Sequence, residues 1–154
     1  MSKLDILHIS KRFMDLERKD SFLKSVMWYL TLIGMIGTIL YFLVLMGLVT
    51  IRNAFGGDII WACLSFPIMI LFVIYVILKR SYFGLLTASL LLLLFSAWIV
   101  IITENMLPLL NISKPWYLFC TMLYWMFFVL PVLISFSVGF ANAVYFPVFE
   151  KLKN

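Results

Sequence analysis

The chain has 154 residues and a formal net charge of +5, and 65% of its residues are hydrophobic while only 12% are charged. A typical soluble domain is about 45–50% apolar and about 25% charged, and a domain of this size buries only about 70% of its chain surface. The composition therefore excludes a soluble globular protein and a disordered chain, and it indicates a protein that crosses a membrane several times.

The first element, residues 1–24, is the only sizeable polar segment, and it carries six bases and four acids. Its apolar side chains recur at helical spacing and predict one face of an amphipathic helix. These apolar residues are Ile6, Ile9, Phe13 and Leu16, and the bases on the opposite face are Lys3, Lys11, Arg12, Arg18 and Lys19. We expect the helix to lie on the anionic headgroups of the inner leaflet or to dock a cytoplasmic protein. Because this polar segment precedes the first apolar run, we expect that run to be a retained span and not a cleaved signal peptide.

Four uncharged runs follow, over residues 25–51, 59–78, 81–103 and 115–149. Since about 20 apolar residues cross the hydrocarbon core, each run predicts one transmembrane span. The last span should cover residues 115–137, with its helix extending towards 149. The runs lack the alternation of barrel strands, so the backbone groups must be satisfied within helices. We predict an all-α membrane protein, a four-transmembrane-helix bundle over residues 25–149 preceded by an amphipathic cytoplasmic or interfacial helix and followed by a short basic tail, residues 150–154.

The connections between the spans predict the direction of the chain. Ten of the 12 Lys and Arg lie in the N-terminal segment, the second connection and the C-terminal tail, and only Arg52 and Lys114 lie in the other two connections. By the positive-inside rule both termini are cytoplasmic, as expected of a multi-pass protein of the plasma or inner membrane. The connection over residues 104–114 is mostly apolar, so we expect it to lie along the membrane surface. Pro67 and Pro131 each remove a backbone donor and predict kinks in the second and fourth spans.

Groups that carry chemistry are scarce. The only histidine, His8, lies outside the spans, and no charged residue lies in the middle of a span. This pattern disfavours a haem held by two histidines, a proton relay and a membrane aspartyl protease, and we expect no cofactor, no metal and no nucleic-acid partner. Asp58 and Glu104 lie at the outer ends of spans, where capping and ion pairing are the simpler prediction and a polar entrance for a ligand is the alternative.

The two cysteines, Cys63 and Cys120, are predicted to lie at similar depth on the second and fourth spans. Two small packing residues are the favoured interpretation. A disulfide is the alternative, and it requires those two helices to touch. The C-x-x-C pair that is typical of disulfide-generating enzymes is absent from the sequence.

Small residues recur along three of the spans and predict close helix–helix approach. The candidates are Gly34 and Gly37 in the first span, Gly84 and Ala88 in the third, and Ser135, Gly139 and Ala143 in the fourth. Ser89, Ser96 and Thr103 are spaced seven apart and predict a weak polar seam on the third helix. Packing inside the bundle is the expected role, while contacts between subunits and a pore lined by the polar seam are the alternatives.

These observations favour a non-enzymatic membrane subunit. It would form a homo-oligomer or join a larger complex, and act as an anchor, sensor or scaffold for a cytoplasmic or membrane partner, for example in a defence or immunity system. Two alternatives stay open. One is an oligomeric channel with a hydrophobic constriction, and the other is a small enzyme or lipid-handling protein with a site in the outer leaflet.

Overall fold

The computed structural model describes residues 3–18, 22–53 and 56–145 of the chain, and all regular structure in these residues is helical. The helices are α1 over Lys3–Arg18, α2 over Phe22–Arg52, α3 over Gly57–Lys79, α4 over Tyr82–Leu110, and α5, which starts at Lys114. α5 is α-helical over Lys114–Tyr124 and Leu130–Phe140, with π-helical turns at Trp125–Val129 and Ala141–Tyr145. The predicted basic tail, residues 150–154, lies outside the described residues.

Four of the described helices are long and apolar enough to cross a membrane. They cover Phe22–Arg52, Ile59–Lys79, Tyr82–Leu110 and Lys114–Val144. The predictions of an all-helical fold and of four helices long and apolar enough to span a membrane are therefore confirmed for the described residues. The N-terminal segment is helical over Lys3–Arg18, although the side chains of Phe13, Leu16 and Arg18, and all of Lys19, lie outside the described residues.

The central helix of the bundle is α4, which packs against α2, α3 and α5. Half of its most apolar stretch is buried, whereas only 22% of the corresponding stretch of α5 is buried. α2 also packs extensively against α5. α3 and α5 make their main contacts on opposite sides of the α2–α4 pair, so the four helices form a flattened bundle with α2 and α4 in the middle.

The third of the four long apolar helices, α4, is longer than the sequence indicated. We expected a surface loop from Glu104 onwards, but α4 continues to Leu110 and ends at Asn111, whose φ of 55° is left-handed. Leu107 and Leu110 are buried, while Glu104 is exposed. A single charge on the exposed face does not end a helix when its apolar face continues to pack on the bundle. The length of the uncharged run therefore underestimates the length of α4.

The last of the four long apolar helices, α5, accommodates Pro131 with a π-helical turn, which is wider than an α-helical turn. Proline lacks the N–H group and its ring clashes with the carbonyl one turn earlier. Here the π-helical turn Trp125–Val129 directly precedes it, and the Leu130 N–H donates to the Trp125 carbonyl, five residues back. Such π turns relieve a break in the helical hydrogen-bond ladder. They also shift the register of the side chains in the turn, among them Phe128.

The two ends of the bundle carry different connections. The α1 end carries α1 and the turn at Arg80 and Ser81 between α3 and α4. The loop end carries the connection at residues 111–113 between α4 and α5.

Candidate functional site

The centre of the bundle contains a line of hydroxyl groups between α2, α4 and α5. On α4 it starts at Ser89, whose Oγ lies 3.2 Å from Thr31 Oγ1 and 3.5 Å from Ser135 Oγ. Two helical turns further along α4, Ser96 Oγ lies 2.9 Å from the Tyr124 hydroxyl. Residues seven apart lie on one face of a helix. One face of α4 therefore contacts both α2 and α5 through hydroxyl groups.

The tyrosines extend this hydroxyl line towards the loop end. The Tyr124 hydroxyl also lies 3.0 Å from Thr38 Oγ1, so that one tyrosine joins three helices. The Tyr41 hydroxyl donates to Thr103 Oγ1 over 3.3 Å, and the Tyr117 hydroxyl donates to the Val100 carbonyl over 2.9 Å. Each such contact stabilises the packing of helices in lipid by about 0.6 kcal/mol on average.

The polar seam predicted on α4 is thus buried inside a single chain. Ser89, Ser96 and Thr103 all lie in the packed interface and have hydrogen-bond partners on another helix. To line a pore, these side chains would have to give up their contacts with α2 and α5.

The small residues on α2 and α5 lie in the same interface. A Cβ atom on Gly37 would lie 2.1 Å from Phe128 Cγ, and one on Gly34 would lie 1.9 Å from Val132 Cγ2. On α5, a Cβ atom on Gly139 would lie 2.6 Å from Met27 Cε. At Gly34 and Gly37 a Cβ atom has no room, so α2 and α5 approach closely there. At Gly139 the nearest atom is the flexible end of the Met27 side chain.

The remaining candidate packing residues also lie inside the chain. Ser135, Ala143 and Ala88 are fully buried, and Gly84 faces Val76 of α3. The structure therefore places all seven candidates in contacts within one copy of the chain. No stripe of these residues is left on the described surface for a neighbouring subunit.

An open groove lies between α2 and α5 in the half of the bundle near the loop end, and we call it the α2–α5 groove. Its volume is about 470 Å³. Leu40, Val44 and Leu48 of α2 form one wall, Trp116, Leu123 and Phe127 of α5 form the other, and Tyr41, Tyr117, Cys120 and Thr121 also line it. Thr121 Oγ1 is buried within hydrogen-bonding reach of the hydroxyl groups of Tyr41 and Tyr117.

Polar contacts between the helix ends stabilise the α1 end. The Arg80 guanidinium lies over the Trp28 ring, 5.3 Å from its centroid, and donates to Ser25 Oγ over 3.1 Å. Trp28 in turn donates to the Ile77 carbonyl over 2.7 Å. The Tyr82 hydroxyl donates to the Gly139 carbonyl, which joins the start of α4 to α5.

α1 lies across this end and contacts α4 and the last turn of α5. Arg12 Nε donates to the Asn142 carbonyl over 3.3 Å. Of the predicted apolar face, Ile9 is half-buried and Ile6 is exposed. Lys3, Leu7, Lys11 and Met14 form an exposed face of α1, and we call it the α1 outer face.

The two remaining candidate sites from the sequence are the outer polar site and the pair of cysteines. Glu104 is exposed on α4, and the side chain of Asp58 lies outside the described residues. Cys63 and Cys120 are free thiols, which argues against the disulfide alternative. Cys63 Sγ lies 3.3 Å from Met46 Sδ between α3 and α2, whereas Cys120 is exposed on α5, beyond the α2–α4 pair. Among the described residues, no three His, Cys, Asp or Glu side chains come together as they would to hold a metal ion.

Sequence reasoning missed the residues that matter most in this interface, Thr31, Thr38, Tyr117, Thr121 and Tyr124. A signal was present, because Thr31 and Thr38 are seven apart, as are Tyr117 and Tyr124, and both pairs match the seven-residue spacing of the α4 seam. A shared period of seven on three helices is typical of helices that pack along their length with polar residues facing each other.

Comparison of the chain with protein-family models, with curated proteins and with solved structures finds no match. Function must therefore be argued from the sites themselves, because a four-helix fold is compatible with many activities.

Proposed function

We propose that the protein is a non-enzymatic integral membrane subunit that uses the α1 outer face to dock a protein partner on the cytoplasmic side. The observation that carries the proposal is the attachment of α1 to the bundle. Arg12 binds the Asn142 carbonyl, and α1 packs on α4 and α5. A recognition helix that is held in place loses less conformational freedom on binding than a free segment.

The side chains on the α1 outer face support a protein partner. Leu7 and Met14 are seven residues apart on the same side of the helix and are 60% and 52% exposed. Lys3 and Lys11 flank them. Apolar anchors at helical spacing with bases beside them fit an amphipathic segment that carries acidic residues. The distribution of Lys and Arg supports the cytoplasmic location of this end in a plasma or inner membrane.

The interior of the bundle supports a structural role for the transmembrane part. Six hydroxyls of the α2–α4–α5 interface bind each other or a backbone carbonyl, and they belong to Thr31, Thr38, Ser89, Ser96, Tyr117 and Tyr124. Groups that are engaged in this way hold helices together and are not poised for acid–base chemistry. In this proposal the bundle is the anchor, and α1 provides specificity. Any homo-oligomer would form through surfaces other than the small-residue stripe.

Site-specific photo-crosslinking in intact membranes tests this proposal. A photoreactive residue at Leu7 or Met14 should give a discrete protein adduct, and the same residue at Leu118, which is exposed on α5, should not. The double substitution Lys3→Glu and Lys11→Glu should abolish the adduct, because it reverses the charge of the docking face but leaves Arg12 in place. Adducts with lipid alone at both positions would show that α1 only rests on the membrane surface and would overturn the proposal.

A further inference from the structure

We propose that Arg80, in the turn between α3 and α4, binds the phosphate group of an anionic glycerophospholipid at the membrane boundary of the α1 end. Arg80 is partly buried and held in one position, yet no carboxylate of the described residues pairs with its charge. The site is formed by α2 and α3 and does not include the α1 outer face, so it is independent of the proposed docking role. Phospholipid headgroups border both leaflets, so such a ligand is present in either orientation of the chain.

Two contacts fix the guanidinium group of Arg80. It lies over the Trp28 ring, 5.3 Å from the ring centroid, and its Nη2 donates to Ser25 Oγ over 3.1 Å. The Trp28 ring is itself fixed, because its Nε1 donates to the Ile77 carbonyl over 2.7 Å. A side chain that is already held in its binding geometry loses little conformational freedom when it takes a ligand.

The same contacts remove part of the hydration of the Arg80 charge. Its Nε is buried without a hydrogen-bond partner among the described residues, and the indole ring covers one face of the guanidinium. A charge that is partly withdrawn from water without a partner is unfavourable. The buried Nε is out of reach of a ligand, so the part that can bind one is the open edge formed by the terminal nitrogens. An oxyanion at this edge would form charge-assisted hydrogen bonds and offset the lost hydration.

The backbone conformation at this position is unusual for an arginine. Among the described residues, the non-glycine residues with positive φ are Asn53, Arg80 and Asn111, and each follows the end of a long helix. Asparagine and glycine are common in this left-handed conformation, whereas arginine is not. Arg80 ends α3 with a φ of 53°, and its N–H donates to the Val76 carbonyl over 2.9 Å. A less favourable residue at such a turn points to a role for its side chain.

The place of Arg80 along the chain favours a lipid phosphate. Lys79 and Arg80 alone separate two apolar runs, residues 59–78 and 81–103, so Arg80 lies where the hydrocarbon ends. Trp28, which Arg80 contacts, is a residue type that settles at headgroup level. A planar guanidinium can bind two oxygens of one phosphate. Lys79 is exposed and adds a second positive charge, which favours an anionic headgroup over a zwitterionic one.

Apolar surface continues from the site towards the hydrocarbon. Tyr29 is 60% exposed, and its ring lies 5.0 Å from that of Trp28. Leu78, two residues before Arg80, is 79% exposed. Acyl chains that extend from a phosphate at Arg80 can therefore pack against α2 and α3, which a free phosphate ion cannot do.

Native mass spectrometry of the full chain in mild detergent tests the proposal with dioleoyl phosphatidylglycerol and dioleoyl phosphatidylcholine. We expect the wild-type protein to bind phosphatidylglycerol more tightly, and Arg80→Gln to lower that affinity about 10-fold, as a lost charge-assisted hydrogen bond would. Lys79→Gln is the matched control, because it removes the same charge from the neighbouring exposed residue, and we expect a loss of no more than about 2-fold. Equal losses in the two variants, or equal affinity of the wild-type protein for the two lipids, would overturn the proposal.

A second variant keeps the test decisive if Arg80→Gln folds poorly. Arg80→Asn places at the end of α3 the residue type that follows the ends of α2 and α4, so the turn should form normally. We expect it to lose phosphatidylglycerol affinity as Arg80→Gln does, and retention of tight binding would overturn the proposal.

Inorganic phosphate, added in excess over the lipid, distinguishes a lipid site from a site for a soluble anion. We expect it to leave the bound phosphatidylglycerol in place, because it has no acyl chains to pack on Tyr29 and Leu78. Displacement of the lipid by inorganic phosphate would assign Arg80 to a soluble phosphate ligand and overturn the lipid assignment.

Discussion

On one side of the α2–α4 pair, the helices meet through the glycines of α2 and through hydroxyls, and on the other side aromatic rings stack between them. Towards α3, Phe66 stacks on Phe42 with ring centroids 4.0 Å apart, and it also contacts Phe95 at 5.8 Å. Towards α5, Gly37 admits the ring of Phe128, and the Tyr124 hydroxyl bonds to two other helices. The α2–α4 pair therefore uses two different kinds of contact on its two sides.

The difference reflects how helices associate in lipid. Lipid tails are as apolar as leucine, so burial of apolar surface does little to hold helices together, and close packing and hydrogen bonds must do so. Glycines and hydroxyls require a fixed geometry, whereas stacked rings gain dispersion energy over a broader range of positions. We therefore expect the α5 side to tolerate substitution less well than the α3 side.

The largest effect should come from adding a methyl group to the α5 side. Gly37→Ala places a Cβ atom 2.1–2.4 Å from atoms of Phe128, and we expect it to lower the free energy of unfolding by about 3 kcal/mol, the upper end of the usual cost of overpacking. Gly47→Ala is the control, because a Cβ atom there has open space around it. Denaturant unfolding in mixed micelles measures both. Equal stability of the two variants would contradict the close α2–α5 contact.

A smaller effect is expected from removing a ring on the α3 side. Phe66→Ala eliminates two aromatic contacts, each worth about 0.5–1.5 kcal/mol, so the free energy of unfolding should fall by about 2 kcal/mol. Phe22→Ala, at the exposed start of α2, should change it little. The same unfolding assay applies. If Phe66→Ala lowers the free energy of unfolding more than Gly37→Ala does, the α5 side is not the less tolerant side and the expectation is wrong.

The smallest of the three effects should come from one hydroxyl. Tyr124→Phe removes the hydrogen bonds to Thr38 and Ser96 and keeps the ring, so we expect a loss of about 1 kcal/mol. Tyr29→Phe, on the exposed face of α2, should have no measurable effect. A double-mutant cycle with Ser96→Ala isolates the shared contact, and a coupling energy of zero would mean that the two hydroxyls do not stabilise each other.

Much of the fold was predictable from the sequence, but little of the interface was. The runs without charge located all four spans, because a helix that crosses lipid must be long and apolar whatever it packs against. The end of α4 was misplaced because Glu104 was taken as a boundary, although it lies on the exposed face of a helix that continues to Leu110. The π-helical turn before Pro131 could not be read from a pattern that assumes 3.6 residues per turn.

For the candidate sites, too, the sequence identified residues but not the partners that they contact. The small residues Gly34, Gly37 and Gly139 were recognisable by their size, but the sequence could not say whether they face another helix of the same chain or another subunit. The surroundings of Thr121 could not be anticipated, since they come from α2 and α5, which lie far apart in sequence.

By itself, then, the sequence determined that the chain is helical and has four helices long and apolar enough to cross a membrane, because length and charge can be read along each helix separately. Only the tertiary structure decided that the hydroxyls of α2, α4 and α5 bind one another, that the small residues are used within one chain, and that a groove opens between α2 and α5. Those features depend on which faces of distant helices meet, and that is set by packing in three dimensions.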